Sequence, residues 1–87
     1  MKVIAEAIFG FCCNSEENTE AIVSFVVDNF INGRLVSEDD KEKLIRDVDE
    51  TLDFLRVNRL LDCEYFMNGL PYLKTNSDFS EVLGYNV

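Results

Sequence analysis

Apolar residues recur three and four positions apart in three successive segments of the chain, which is the spacing of an amphipathic helix. The segments cover residues 3–11, 22–31 and 44–55. Charged side chains fill most of the remaining positions of the third segment. We therefore predict three helices, each with one face toward a shared core.

Polar residues mark where these helices begin and end. The Asn-Ser-Glu-Glu sequence at residues 14–17 predicts the start of the second helix, and Ser37 predicts the start of the third, because such side chains accept hydrogen bonds from free backbone N–H groups. Gly10 is expected near the end of the first helix, and the Asn-Gly pair at 32–33 is expected to end the second. The third helix continues to about Asn58.

After the third helix the period changes. Apolar and polar residues alternate over residues 60–65, and Asn-Gly at 68–69 separates them from a second short run at 71–74. Two short strands joined by Asn-Gly are typical of a β-hairpin. Residues 75–78 then predict the cap of a short last helix that ends at Gly84.

This order of elements predicts an α+β, mostly helical domain of the winged-helix class. That fold is a three-helix variant of helix-turn-helix followed by a two-stranded hairpin, here with a short C-terminal helix. We assign residues 1–87 to one domain. Because the apolar pattern begins already at Val3, we expect this domain to be excised from a larger protein.

Charge narrows the possible partners. The chain has 8 Lys and Arg residues against 17 Asp and Glu residues, for a formal net charge of −9, which on average repels a phosphate backbone. Ser24 interrupts the longest apolar run, residues 21–27, and Glu6 interrupts the apolar start. We therefore expect no membrane partner, no signal peptide and an intracellular location, nuclear or cytoplasmic.

The residues that usually carry chemistry are scarce. The chain has no histidine, and its three cysteines, Cys12, Cys13 and Cys63, do not form a disulfide framework or a zinc motif. We expect them to be buried reduced thiols in a reducing compartment. With no nucleophile–base pair and no glycine-rich phosphate loop, we predict no catalytic, cofactor-binding or metal-binding residues, and no enzymatic activity for this chain on its own.

The third helix has the wrong charge for DNA reading. In the usual docking of this fold that helix enters the major groove. Residues 38–53 contain eight acidic residues against Lys41, Lys43 and Arg46, so phosphates would be repelled. The candidate acidic face for a partner consists of Asp39, Asp40, Asp47, Asp49, Glu50 and Asp53.

A small group of cations lies at the C-terminal end of this helix and on the hairpin that follows it. Arg56, Arg59 and Lys74 are candidates for weak nucleic-acid contacts beside the hairpin. The interpretation that we favour is structural, with Arg56 and Arg59 complementing the negative C-terminal end of the helix.

Three stretches of the chain resemble a known family. They are residues 3–11 followed by the acidic cap at 14–17, residues 48–55 continued through 58–61, and residues 72–80. They are similar to the winged-helix domain that follows the two motor domains of Ski2-like superfamily 2 DNA helicases, which include archaeal repair helicases and the helicase half of polymerase theta. This chain has Phe79 or Ser80 at the position where that family usually has a glycine.

The resemblance implies an architectural role in an ATP-dependent DNA repair helicase. In that family the winged helix packs between a motor domain and a helical ratchet domain, around translocating single-stranded DNA. The implied partners are neighbouring domains of the same protein, or another protein, with DNA contacted only indirectly or weakly. No cofactor is implied for the winged helix itself.

Two other hypotheses remain open. In the first, the chain is a free-standing acidic protein, for example a viral one. It would bind a basic partner, or mimic nucleic acid, through its acidic face. Alternatively, it is a winged-helix protein–protein module, in which exposed Phe54, Phe66 or Leu70 would drive association.

Overall fold

The computed structural model describes residues 2–84. The elements follow in the order α1 (Lys2–Cys12), β1 (Glu17–Asn18), α2 (Thr19–Ile31), α3 (Glu38–Val57), β2 (Leu61–Met67), β3 (Leu70–Thr75) and α4 (Ser77–Leu83). The three strands form one antiparallel sheet in the order β1-β3-β2. This is the predicted α+β, winged-helix-like fold, with β2 and β3 as the wing.

The start of α2 differs from the prediction. Residues 14–17 do not cap it; the helix begins at Thr19, and the Oδ1 atom of Asn18 accepts a hydrogen bond from the Ala21 backbone N–H at 2.8 Å. The reason is β1, since Glu17 and Asn18 pair with β3 and hold this backbone extended. A two-residue strand has no periodicity of its own, so the sequence pattern does not reveal it.

Gly10 lies in the last turn of α1, near the end of the helix as predicted. The helix continues to Cys12, and Ile8 and Cys12, four residues apart, are both fully buried. Packing of this last turn against the core offsets the low helix propensity of glycine. The other three glycines have positive φ angles at a helix end or a turn, as predicted: Gly33, Gly69 and Gly84.

The predicted bounds of α3 are confirmed. The Ser37 hydroxyl accepts a hydrogen bond from the Asp40 backbone N–H at 3.1 Å, and the helix ends at Val57, immediately before Asn58. Its buried stripe consists of Val48, Thr51, Leu52 and Leu55. Thr51 is buried at no hydrogen-bonding cost, because its hydroxyl donates to the Asp47 carbonyl at 2.8 Å.

The core lies between the three long helices and the central strand β3. Leu73 of β3 is fully buried, while β1 and β2 flank its strand on either side. Phe79 of α4 is also fully buried, and its ring meets that of Phe9 edge-on at 5.2 Å between centroids. The sheet and α4 therefore close the open side of the helical layer.

The wing extends beyond this core. Asn68 and Gly69 at its tip both have positive φ angles, as a tight two-residue hairpin turn requires. The register shifts between Cys63 and Tyr65. Beyond Leu61, every residue of the edge strand β2 is exposed, so the sheet packs against the helices only near its base.

The cap of α4 is Asn76, which lies within the predicted residues 75–78. Its Oδ1 atom accepts a hydrogen bond from the Phe79 backbone N–H at 3.0 Å. Its amide nitrogen donates to the Arg59 carbonyl at 2.7 Å and to the Asp62 carboxylate at 3.2 Å. One side chain thus ties α4 to the turn between α3 and β2.

The three cysteines are free thiols, but they are not all buried as expected. Cys12 is buried in the core, Cys13 is partly buried and Cys63 is exposed on β2. Burial, with a smaller contribution from the Glu17 carboxylate, raises the pKa of Cys12 to about 12. Cys63 is exposed because β2 continues past the edge of the helical layer, which alternation in the sequence does not show.

A membrane-crossing helix would need both length and sustained hydrophobicity, and no helix within residues 2–84 has both.

The first prediction concerns the central strand. Leu73→Ala removes a fully buried side chain and should lower the free energy of unfolding by about 2–5 kcal/mol. Leu35→Ala is the matched control, because that leucine is fully exposed, and its effect should stay within about 0.5 kcal/mol. Urea denaturation followed by circular dichroism measures both variants. Equal losses would contradict the assignment of Leu73 to the core.

The second prediction concerns Asn76. Asn76→Ala removes the cap of α4 and the bridge to Arg59, and should cost about 1–3 kcal/mol of unfolding free energy. Asn76→Ser keeps a capping oxygen and should recover part of that loss. The same denaturation assay measures these variants, with Asn29→Ala on the exposed side of α2 as the control. No difference between the alanine and serine variants would contradict a capping role.

The third prediction concerns thiol reactivity. At pH 8 Cys12 holds almost no reactive thiolate, because its pKa of about 12 is far above the pH, and its side chain is buried. Pulsed iodoacetamide labelling with mass spectrometry should therefore modify Cys63 well before Cys12. In urea the two cysteines should react at similar rates. Rapid labelling of Cys12 in the folded chain would contradict its place in the core.

Candidate functional site

The outward face of α3 carries the predicted acidic residues. All six are exposed, because the buried stripe that includes Val48 and Leu52 occupies the opposite side of the helix. From Asp39 to Asp53 the face extends about 21 Å along the helix axis. The structure therefore brings the predicted acidic set onto one solvent-facing surface.

Two cations lie within this acidic face. Lys43 is four residues from both Asp39 and Asp47, and Arg46 is four residues from Glu50. Side chains four apart on a helix are neighbours, so opposite charges alternate along part of the face. The face has a net negative charge, but its negative charges do not form a continuous row. It therefore resembles a phosphate backbone only weakly.

The structure brings together two of the predicted cationic residues, but with carboxylates between them. Arg56 and Arg59 line one shallow depression of about 410 Å³ together with Asp53 and Asp62. Lys74 of β3 lies directly opposite Asp62 in the strand register. The three cations are therefore opposed by two carboxylates, and a net charge of only +1 remains to attract a phosphate.

Backbone geometry gives Arg59 a structural role. It has a φ angle of 59°, an uncommon conformation for a residue other than glycine, at the turn from α3 into β2. The Asn76 amide stabilises this turn by donating to the Arg59 carbonyl. Arg56 lies in the last turn of α3, the position at which a cation complements the helix dipole.

The wing carries an exposed aromatic and apolar surface. Tyr65, Phe66 and Met67 are 41%, 68% and 49% exposed. The Tyr65 ring stacks on Tyr72 at 4.8 Å between centroids, and loss of water around the ring, followed by the Glu16 carboxylate, raises the pKa of Tyr65. Phe66 is exposed as the protein–protein hypothesis expects.

A second apolar surface lies where α1, α3 and α4 meet. A depression of about 340 Å³ opens there, with Leu60 and Phe79 among its lining residues. Phe54 and Val82 also line it and are 49% and 68% exposed. Phe54 is therefore exposed as expected, whereas Leu70, which was expected to join such a surface, is half-buried at the start of β3.

A third surface, missed by the sequence analysis, is a groove of about 450 Å³ between α2 and α3. Two adjacent rows of residues from α2 and one row from α3 form its walls. The helical spacing of these rows is visible in the sequence, but the way the two helices pack against each other is not. We call this feature the α2/α3 groove; its lining residues are Thr19, Glu20, Val23, Ser24, Val27, Asp28, Lys41, Ile45 and Asp49.

Within residues 2–84, no three cysteine, aspartate or glutamate side chains are grouped so that they could hold a metal ion. Among those same residues, no buried side-chain nitrogen or oxygen lacks a hydrogen-bond partner. The distinguishing features of the surface formed by residues 2–84 are its charge and its apolar depressions.

Comparisons with protein-family models, with curated proteins and with solved structures give no match to this chain. The likeness to the helicase winged-helix domains therefore depends on the three stretches of sequence described above.

Proposed function

We propose that this chain is a non-catalytic winged-helix module that acts by binding protein rather than by reading duplex DNA. The observation that carries the proposal is the acidic outward face of α3, the helix that enters the major groove in DNA-reading members of this fold. A fold does not by itself imply a function, so the charge on this helix has more weight than the topology.

Electrostatics supports this proposal. Duplex DNA presents one negative charge about every 1.7 Å along its axis, and affinity comes largely from Lys and Arg residues that replace its counterions. The first turn of α3 contains Glu38, Asp39 and Asp40, where a DNA-reading helix would approach the bases. Bringing this turn into a groove would place like charges close together in a region of low dielectric, which is strongly unfavourable.

Exposed apolar residues support a protein partner. Phe66 at the wing tip and Phe54 beside α4 are each about half or more exposed, at 68% and 49%. Aromatic side chains are enriched at the centres of protein interfaces, where burying them stabilises the complex. The wing and the α1/α3/α4 surface are separate, which suits a module contacted by more than one neighbour.

The narrower form of the proposal is a winged-helix module of an ATP-dependent DNA helicase. The similarity of three stretches to the Ski2-like helicases supports it: residues 3–11 with 14–17, residues 48–55 with 58–61, and residues 72–80. In that form the neighbours are a motor domain and a ratchet domain, and the module holds them together around single-stranded DNA. The full-length gene product should then contain two nucleotide-hydrolysing domains before this segment, and their absence would remove the helicase assignment alone.

The fourth prediction concerns DNA. Fluorescence anisotropy with labelled duplex and single-stranded oligonucleotides at physiological salt should show no binding tighter than the nonspecific range, about 10⁻⁴–10⁻⁶ M. The acidic face of α3 is the physical reason. Tight, sequence-specific binding would overturn the proposed function.

Two double variants with the same change in charge test whether the repulsion of DNA comes from the face of α3. Asp47→Lys with Glu50→Lys changes the net charge of −9 by +4 on the outward face of α3, and Glu6→Lys with Glu81→Lys makes the same change elsewhere. Only the α3 pair should gain salt-sensitive DNA binding, because only that pair removes repulsion between α3 and the phosphates beside the DNA major groove. Equal gains would mean that total charge, not the face of α3, determines binding.

A further inference from the structure

The α2/α3 groove has the periodicity of a helix-binding surface. On α2 its lining residues lie at positions 19–20, 23–24 and 27–28, and on α3 at positions 41, 45 and 49. Residues four apart lie above one another on the same side of a helix. Each wall is therefore a straight ridge, and the groove extends about 12–14 Å along them.

The floor of the groove is apolar. Val23 and Ile45 are partly buried and pack against the core, and Val27 beneath them is only 3% exposed. Polar groups placed on such a floor would lose hydrogen bonds to water without replacement. The floor therefore favours an occupant with aliphatic or aromatic side chains.

The rim of the groove is acidic. Glu20 and Asp28 on α2 and Asp49 on α3 line it, against one cation, Lys41. All four side chains are exposed, so they are available to an approaching partner. A second copy of this chain, with its own net charge of −9, would be repelled, whereas Lys and Arg residues around an apolar anchor would be attracted.

We propose that the α2/α3 groove binds a basic amphipathic helix of a protein partner. Aliphatic residues four apart on that helix occupy the floor over Val23 and Ile45, and its Lys or Arg residues face Glu20, Asp28 and Asp49. A third helix packing between two others follows ordinary ridge-into-groove packing. This inference rests on the proposed function, because it names the class of protein that the module binds.

The fifth prediction uses a synthetic probe. A peptide of about 14 residues made of Leu, Lys and Ala, with its leucines on one helical face, is titrated into the ¹⁵N-labelled chain. Amide shift changes should saturate and should concentrate at residues 19–28 and 41–49. A peptide of the same composition with its leucines spread around the helix is the control, and should bind at least about tenfold more weakly because it cannot fill the apolar floor.

Variants at exposed positions test the floor and the rim separately. Ser24→Trp fills the groove and should weaken binding by about tenfold or more, whereas Asn29→Trp, on the same helix outside the groove, should not. Glu20→Gln with Asp49→Asn should weaken binding by about three- to tenfold, with a shallower dependence on salt. Asp39→Asn with Glu64→Gln makes the same charge change outside the groove and should have little effect.

Each alternative outcome overturns the groove assignment. Equal binding of the two peptides would show charge attraction only, and shift changes centred on the wing or on α1 and α4 would place the partner elsewhere. A dimer in sedimentation whose dissociation on dilution shifts the amides of residues 19–28 and 41–49 would make a second copy the occupant. Absence of peptide binding would reject the groove as a binding site. The proposed function would still be tested by the DNA-binding assay, so the two proposals can fail independently.

Discussion

Burial of the central strand β3 against the helices is the constraint on which the rest of this structure depends. A two-stranded hairpin is marginal in water, and α1 to α3 leave an apolar side uncovered. Leu73 on β3 and Phe79 on α4, both fully buried, close that side. The wing is therefore held only at its base, and its outer half extends into solvent as an arm with exposed aromatic residues.

The same constraint sets the distribution of charge. Because the stripe of α3 around Val48 and Leu52 must face the core, its carboxylates have only the solvent side to occupy. An acidic face on this helix opposes the DNA docking familiar for the fold. At the end of α3, Arg56 and Arg59 share their depression with Asp53 and Asp62, so the positive charge there is locally balanced.

Within residues 2–84, three surfaces are available to a partner, and they differ in chemistry. The wing tip around Phe66 and the surface around Phe54 are mainly apolar, which suits closely packed neighbours. The α2/α3 groove combines an apolar floor with an acidic rim, so it discriminates by charge as well as by shape. Under the proposed function, these separate surfaces would let a module of this size contact several proteins at once.

The sequence alone determined the features that depend on near neighbours. Ser37 and the Asn-Gly turns mark α3 and the wing because capping and left-handed backbone are properties of a few adjacent residues. Tertiary structure alone decided the start of α2, the exposure of Cys63 and the α2/α3 groove. Each of these depends on which distant segments are in contact. β1 forms only because β3 pairs with it. Periodicity along the chain shows which face of a helix is apolar, but it does not show which segment packs against that face.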